Sequence, residues 1–526
     1  MKQLSGSDNI FLFQEQKNVF NHVAVLMIFD VSTAPDGTVR FKDILKHFDD
    51  RMHLHPIFRR RLANVPLNLD RPYWVAEKDI DIEYHIRHIA LPQPGDWRQL
   101  MIQVARLHSR PLDRSRPLWE TYIIEGLDNI PKLPPGSFAM FMKFHHASID
   151  GMAGLHLASQ LLSKSVSSDA PDTGQKTIYL DRVPSSIEFV SRAVSNGVGR
   201  ALASGKLSAR LASKVVEISS EQLLGKKGGE PVQKLSFPTA PPTRFDHEVS
   251  AHRVFDGFGM PLSRIKRVRD KVKGATLNDI FLTVAGGAVR KYLQAKHELP
   301  EQSLMALMPM SLRSDASAGG NAIGTAMINV CSDFEDPLER LKAAHMAAQA
   351  GKLQAEKLGT DLFSKLIDAV PSFVGSMLIK KLVIQSANMT VSNVRGPDVP
   401  MYLAGAKAMC FYPVSIPTNG IGLNLTGVSY NRVMWLSMVS CREMVPDPGF
   451  FIECMQAAWD ELLAAADALP AVADETAAKP RAKAATVRKA TPAKKAAAVA
   501  TPPAKVSRKP FAKAKAKALP AATRAK

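Results

Sequence analysis

Apolar residues recur along this chain with two spacings, one suited to strands and one to helices, and the two alternate. "HVAVLMIFDV" (22–31) is long enough and apolar enough for a buried strand, and "PLWETYIIEGL" (117–127) reads as another. "SFAMFMKF" (137–144) is a continuous apolar run, as a central strand covered on both faces requires. Between these runs the spacing changes. "FKDILKHFDDRM" puts Ile44, Leu45 and Phe48 on one side of a helix, and "GMAGLHLASQLLS" does the same with Met152, Leu155, Ala158 and Leu162.

The alternation resumes after residue 250. "ATLNDIFLTVAGGAVRKYLQ" predicts a helix capped by Thr276. "SLMALMPMSLR" predicts a strand leading into a loop, and "MTVSNVRGP", "GIGLNLTGVSY" and "RVMWLSMVSC" predict strands separated by turn residues. Strands alternating with helices in both halves predict two α/β domains with large sheets, 1–165 and 250–470. Residues 166–249 are polar, rich in Ser and Lys, and broken at "GKKGGEP" and "PTAPPTRF". They predict an inter-domain connection with helical segments. Within it Leu207, Leu211, Val215 and Ile218 form an apolar stripe, and Lys206, Arg210 and Lys214 a basic one. That pattern suits a helix packed on the protein body, and also one lying on an anionic membrane.

Length supports the division, because 526 residues exceed one core of ordinary size, and a 46% hydrophobic fraction is globular. Charge changes the picture more. The net +19 is local: residues 476–526 hold eleven Lys, four Arg and no acid, which leaves only +4 on residues 1–475. The body is therefore not that of a basic nucleic-acid enzyme. Residues 471–526, built from Ala, Lys and Pro with the single aromatic Phe511, lack the apolar content to fold alone and predict a disordered tail. Such a tail fits electrostatic contact with anionic lipid or with DNA. The four cysteines, Cys331, Cys410, Cys441 and Cys454, form no CxxC pair and read as buried thiols of a reduced compartment. "MKQLSGSDNIFLFQEQ" carries polar and acidic groups where a secretory signal needs an apolar core. The longest uncharged run, 408–431, is broken by Pro413, Pro417, Asn419 and Gly420. It predicts strands and turns, not a membrane span. The expected location is cytoplasmic, or peripheral on a membrane or lipid inclusion.

The candidate chemistry lies at the seam between the apolar run ending near residue 144 and the helix after it: "FMKFHHASIDGMAG" (141–154). Adjacent residues of a strand point to opposite faces, so His145 and His146 are not equivalent. Zinc binding would need further ligands, and the chain has neither HExxH nor a neighbouring Cys cluster. Serine hydrolysis would need a GxSxG elbow, and phosphate chemistry a Walker A or GxGxxG loop; all are missing. What remains is a pair of buried structural histidines, or a histidine acting as general base on a substrate hydroxyl, for which its pKa near neutrality is suited.

Several stretches then resemble one family. "HHASIDG" matches HHxxxDG, "RPLWETYIIEGL" a PLW block, "LNDIFL" an ND block, and "SNVRGP" an SNVPGP-type block with Arg395 in place of proline. The opening "LSGSDNIFLFQEQKNVFNHVAVLMIFD" is similar too, and the blocks lie in order over nearly all of residues 1–469. Together they resemble the bacterial wax ester synthase/diacylglycerol acyltransferase family, within the superfamily of CoA-dependent acyltransferases carrying HHxxxDG.

The resemblance implies two chloramphenicol-acetyltransferase-like domains of mixed sheets flanked by helices, with the active site at their interface. It implies transfer of a long-chain acyl group from acyl-CoA, a co-substrate rather than a cofactor, to diacylglycerol or a fatty alcohol. His146 would be the base, with no acyl-enzyme and no metal. His145 would support it structurally. Asp150 would turn away to pair with an arginine, for which Arg313 is the candidate, and Gly151 would allow tight passage from strand to helix. For Asn278 and Asp279 two roles remain open: a polar contact near the reacting centre, or helix capping and domain bracing. A non-catalytic lipid-binding protein, or a carrier-dependent condensation domain on the same fold, is the alternative. Chain length and acceptor preference are not legible.

Overall fold

The strands that the apolar runs predict form two large sheets and one small one. The computed structural model describes residues 1–149, 154, 157–158, 160–167, 182–200, 240–311, 323–358 and 384–470. Asp150, Gly151, Met152, Leu155, Arg313, the paired stripes at 206–218 and the basic segment 476–526 lie outside the described residues.

The first half contains β1 (Lys2–Gln3), α1 (Gly6–Phe13), β2 (His22–Asp30), α2 (Phe41–Asp49), β3 (Arg60–Ala63) and β4 (Tyr73–Ala76). It continues with β5 (Ile86–Ala90), α3 (Trp97–His108), β6 (Trp119–Glu125) and β7 (Phe138–His145). The second half contains β8 (Arg253–Pro261), α4 (Leu262–Lys271), α5 (Leu277–Ala295), β9 (Met305–Ser311), β10 (Ile323–Asn329) and α6 (Pro337–Leu358). Then come β11 (Met389–Arg395), β12 (Tyr402–Leu403), β13 (Ala406–Ala408), β14 (Tyr412–Val414), β15 (Leu423–Tyr430), β16 (Val433–Cys441) and α7 (Pro448–Ala468). The fold is mixed α/β, and residues 1–472 form one compact unit.

The first sheet runs β12-β13-β2-β7-β6-β5, with β14 also on β2; the second runs β10-β9-β11-β15-β16-β8; β1, β4 and β3 make the small third sheet. Strand β7 is buried along its whole length, which explains its apolar pattern, interrupted before its end only by Lys143. Its even-numbered residues, Met140, Met142 and Phe144, pack with α2 and with Val428 and Tyr430 of β15. Its odd-numbered residues Ala139 and Phe141 pack with α3. The two halves are joined through main chain as well. After β11 the chain leaves the second sheet, pairs β13 and β14 antiparallel with β2, and returns as β15. The uncharged run 408–431 is thus divided between both sheets, and no helix among the described residues is long and apolar enough to cross a membrane.

Helix α5 is capped as its sequence predicts. Thr276 Oγ1 accepts from the Asp279 amide at 3.2 Å, and the Asp279 carboxylate accepts from the Thr276 amide at 2.8 Å. Gly286 and Gly287 lie within this buried helix, where glycine is costly, and the packing explains them. A Cβ on Gly286 would fall inside contact distance of the Val330 carbonyl oxygen, and one on Gly287 would press on Arg340 and on Ala458 of α7. The four cysteines are buried and unbridged.

Gly286→Ala therefore reverses an ordinary expectation. In an open helix the change stabilises by about 1 kcal/mol. Here overpacking costs roughly 1–3 kcal/mol, and the net effect should be a lower urea midpoint at unchanged m value. A raised midpoint would show that the end of β10 yields freely to the added methyl.

Candidate active site

The site is built where β7 ends. His145 is its last residue, wholly buried, and His146 follows, half-buried. The His145 amide donates to the Leu118 carbonyl at 3.0 Å, so the residue before Trp119 positions the strand end. Trp119 is itself fully buried, donating from Nε1 to the Phe58 carbonyl at 3.1 Å and stacking on His85 at 4.4 Å. The turn after the histidines is pinned from inside: Ser148 donates to the His145 carbonyl from its amide at 2.9 Å and from Oγ at 2.7 Å. Arg60 donates to the Ser148 carbonyl at 2.5 Å.

The two imidazoles have different surroundings. His145 Nδ1 accepts from the Ala147 amide at 3.0 Å. Its proton therefore sits on Nε2, which donates to Glu15 Oε1 at 3.0 Å. Glu15 also accepts from the Asn21 amide at 2.9 Å and is ion-paired to Arg114 through its other oxygen. Burial alone would raise the Glu15 carboxyl, but hydrogen bonds and attraction from His145 and Arg114 hold it below its ordinary value. Both ring nitrogens of His145 are thus engaged. His146 differs: its amide donates to the Asn21 carbonyl at 2.7 Å, and its ring stacks on Phe11 with centroids 4.2 Å apart and planes 14° from parallel. Asn21 Nδ2 in turn donates to the Phe11 carbonyl at 2.6 Å. One segment, Phe11 through Asn21, holds both histidines by different means.

The His145 face of β7 is crowded with buried titratable groups. Lys143 Nζ donates to the carbonyls of Leu107 at 3.1 Å and Arg110 at 3.0 Å, closing the C-terminal end of α3, and lies 3.4 Å from Glu120. Burial pulls its ammonium down to about 8, although Glu120 opposes the shift. His108 Nε2 donates to the His22 carbonyl at 3.0 Å. Burial holds His108 at about 3 and His22 well below the ordinary value, with Lys143 and His145 adding to the effect on His22. On the far side of the sheet, His47 donates to the Leu161 carbonyl at 2.7 Å, and burial holds it at about 4. Glu15, His22 and His145 also form the one trio of potential metal-ligating groups among the described residues, with ligand atoms within 4.8 Å of one another. A cation there would have to displace the Arg114 ion pair and the His145 proton.

The other face opens on a cleft of about 110 Å³ between the sheets. Val25, Met142, Phe144, Ile149, Val414 and Val428 are among its walls, and Phe144 and Ile149 bracket His146 in the chain. Ser392 and Val394 of β11 line it as well, while Asn393 between them points to α5 and donates to Asn278 at 2.6 Å. Asp279 is buried in its cap and accepts from His345 Nδ1 at 2.8 Å. The hydrogen bonds of Asn278 and Asp279 described here stay within the second half. Asp150, Gly151 and Arg313 lie outside the described residues. Sequence reading missed Phe11, Glu15 and Asn21. The only available signal was the polar interruption "QEQKN" just before an apolar strand.

Known proteins share the sequence and the fold of this chain. The wax ester synthase/diacylglycerol acyltransferase catalytic domain matches residues 4–281, and the WS/DGAT C-terminal domain matches residues 319–463. The chain is 31% identical over 454 residues to an "O-acyltransferase WSD" of Acinetobacter baylyi, covering 85% of this chain and 93% of that one. It is 32% identical over 464 residues to a Mycobacterium tuberculosis chain named "Probable diacyglycerol O-acyltransferase tgs2", covering 85% and 95%. The solved "Wax ester synthase/diacylglycerol acyltransferase from Marinobacter aquaeolei VT8" superposes with a TM-score of 0.61 at 26% identity, over 88% of this chain and 100% of that one. A trichothecene 15-O-acetyltransferase from Fusarium sporotrichioides shares the fold, with a TM-score of 0.54 at 13% identity over 88% and 94%.

The neutral buried histidines make stability depend on pH with a defined sign. Their folded pKa values lie below the unfolded value near 6.5, so only the unfolded chain takes up these protons as pH falls. Stability from this source is complete above pH 6.5 and declines below it, down towards pH 3–4. At pH 5.5 the loss should be about 1.4 kcal/mol per histidine relative to pH 7.5. Urea unfolding at the two pH values measures it, and His108→Gln should shrink the difference. An unchanged difference would mean that His108 ionises in the folded protein.

Proposed function

The chain belongs to the wax ester synthase/diacylglycerol acyltransferase family and is an acyltransferase, and on that premise we propose that His146 is the general base of acyl transfer from acyl-CoA to a lipid hydroxyl. The observation that carries this is the division of labour between adjacent rings. His145 has both nitrogens committed to Ala147 and Glu15, whereas His146 stacks on Phe11 and lies in the chain between Phe144 and Ile149, which line the apolar cleft.

The reaction then proceeds without a protein nucleophile. His146 takes the proton of a fatty alcohol or of the free hydroxyl of diacylglycerol. The oxygen attacks the thioester carbonyl of acyl-CoA, and a tetrahedral oxyanion forms. Its collapse breaks the carbon–sulfur bond, and the departing thiolate takes the proton back from the imidazolium. Both substrates are bound together. The apolar walls at Met142, Phe144, Val414 and Val428 suit an acyl chain and keep water from competing for the thioester.

Acceptors and products of this kind are nearly insoluble in water, so the enzyme meets them at a membrane or lipid-inclusion surface without spanning it. The +15 of residues 476–526 supports an electrostatic tether to anionic lipid, since each basic residue near such a surface contributes about 1 kcal/mol. Asp150 is proposed to brace the turn through Arg313 rather than to orient His146.

Thiol release from palmitoyl-CoA should depend on added hexadecanol or diacylglycerol. His146→Ala should lower it by roughly 10²–10⁴-fold with the fold retained by circular dichroism. His145→Ala should lose more in stability than in the chemical step. Near-normal turnover in His146→Ala with an inactive, folded His145→Ala would reverse the assignment.

A further inference from the structure

The helix at 186–200 packs by one face and shows a second apolar face to solvent. It starts at a reciprocal cap: Ser185 Oγ accepts from the Glu188 amide at 3.3 Å, and the Glu188 carboxylate accepts from the Ser185 amide at 2.7 Å. One side lies on the small third sheet, where Phe189 and Ala193 are buried with Ala63, Val65, Tyr73 and Val75. Asn196 and Arg200 continue that side, donating to the two oxygens of Asp70 at 2.8 Å and 2.6 Å. The other side of a surface helix is ordinarily polar. Here it holds Ile187, Val190, Val194 and Val198, spaced three or four residues apart and between 38% and 82% exposed. At about 100° per residue these four fall within an arc of about 80°, centred on the side away from Phe189 and Asn196.

The turn that carries Asp70 adds to this surface. Leu67 and Leu69 are 90% and 54% exposed, just ahead of the carboxylate that holds the last turns of the helix. Leu67 has φ +54°, a left-handed conformation that a bulky side chain adopts only at a cost. The backbone is thus strained where it holds an apolar side chain out in water. Fourteen large apolar residues are exposed among the described residues, and six of them are these. Scattered exposed apolar residues are normal, but a group on one helix and the turn bonded to it marks a contact surface.

We propose that this surface docks the enzyme on an anionic phospholipid surface, with its apolar side chains entering the boundary between headgroups and acyl chains. The proposal rests on the reading above of a lipid hydroxyl as the acceptor. Two observations favour lipid over a protein partner. Residues 189–216 carry five basic residues and no acid, which complements anionic headgroups. Six apolar side chains fall well short of the roughly 20–30 residues a side of a stable protein interface, whereas shallow insertion needs only one apolar stripe. This contact differs in kind from a tether through residues 476–526. Salt removes an electrostatic tether, and apolar insertion persists in salt.

The test uses the full chain and vesicles of phosphatidylcholine with phosphatidylglycerol, read by co-sedimentation. Binding is compared at about 0.1 M and about 1 M NaCl, the second of which screens charges beyond about 3 Å. Ile187→Ser, Val194→Ser and Val198→Ser together remove the stripe at little cost to the helix, because serine and valine have similar helix propensities. The wild type should stay vesicle-bound at the higher salt. The triple variant should bind roughly tenfold or more weakly there, with an unchanged urea midpoint. It should lose activity on diacylglycerol in vesicles and keep it on detergent-dispersed diacylglycerol. In Leu67→Gly, glycine relieves the left-handed backbone while the side chain is deleted, so vesicle binding should weaken as the urea midpoint holds or rises. Unchanged vesicle affinity in both variants would overturn the proposal. So would release of the wild type at the higher salt, which would leave charge as the only contact. A wild-type dimer that the triple variant loses, with vesicle binding intact, would make the face an interface between copies and overturn it too. A lowered urea midpoint with vesicle binding intact would do the same, by showing that the face is packed within the folded chain. Salt-resistant vesicle binding without ester formation on any acceptor would instead count against the acyl-transfer reading and leave the docking surface standing.

Discussion

The site depends on one feature of the strand end: His145 closes β7 and His146 is the first residue past it, so the two neighbours do not share one environment. The chain uses that feature to give two identical side chains different environments. His145 turns toward α3, into a face dense with buried charge, and becomes a fixed hydrogen-bonding element between Ala147 and Glu15. His146, just past the strand end, stacks on Phe11 instead, between Phe144 and Ile149 of the cleft wall in the chain. The fixed ring defines the strand end, and the strand end defines where the other ring stands.

That arrangement needs support from far along the chain. Glu15 is 130 residues from His145, and its buried carboxylate is tolerable only because Asn21, His145 and Arg114 all contact it. Arg114 stands at the exposed rim of this cluster, with 43% of its side chain accessible, so its contribution is screened by solvent and the inner partners Asn21 and His145 matter more. The second half contributes main chain rather than ion pairs. Strands β13 and β14 pair with β2, which itself lies beside β7, so the cleft walls from β11 and β15 are held in register with the histidines. Movement of one half against the other would break those backbone ladders.

How much of this was legible follows from which interactions are local. The strands at 22–30, 119–125 and 138–145 were legible because each is largely covered on both faces, which leaves a mostly apolar run. The cap of α5 was legible because Thr276 and Asp279 are three residues apart. That the two histidines are not equivalent follows from their adjacency at a strand end. The clamp of Phe11, Glu15 and Asn21 was not legible, since each owes its role to contacts more than a hundred residues away. Strands β12 to β14 were hidden for another reason: they are two or three residues long, and β14 carries a proline. Helix α3 carries a local signature, a capping box at Asp96 and Gln99 with Leu100, Met101, Val104 and Leu107 on its buried side, but nothing local marks its packing against β8.

The most direct measurement is the pH dependence of kcat/KM for ester formation in Glu15→Gln beside the wild type. Glu15 contacts His145 and not His146, so the account predicts a slower or less stable variant whose acidic limb stays where it is in the wild type. Had His145 been the base, loss of its carboxylate partner would move that limb by about one pH unit or more, and such a displacement would contradict the assignment of His146.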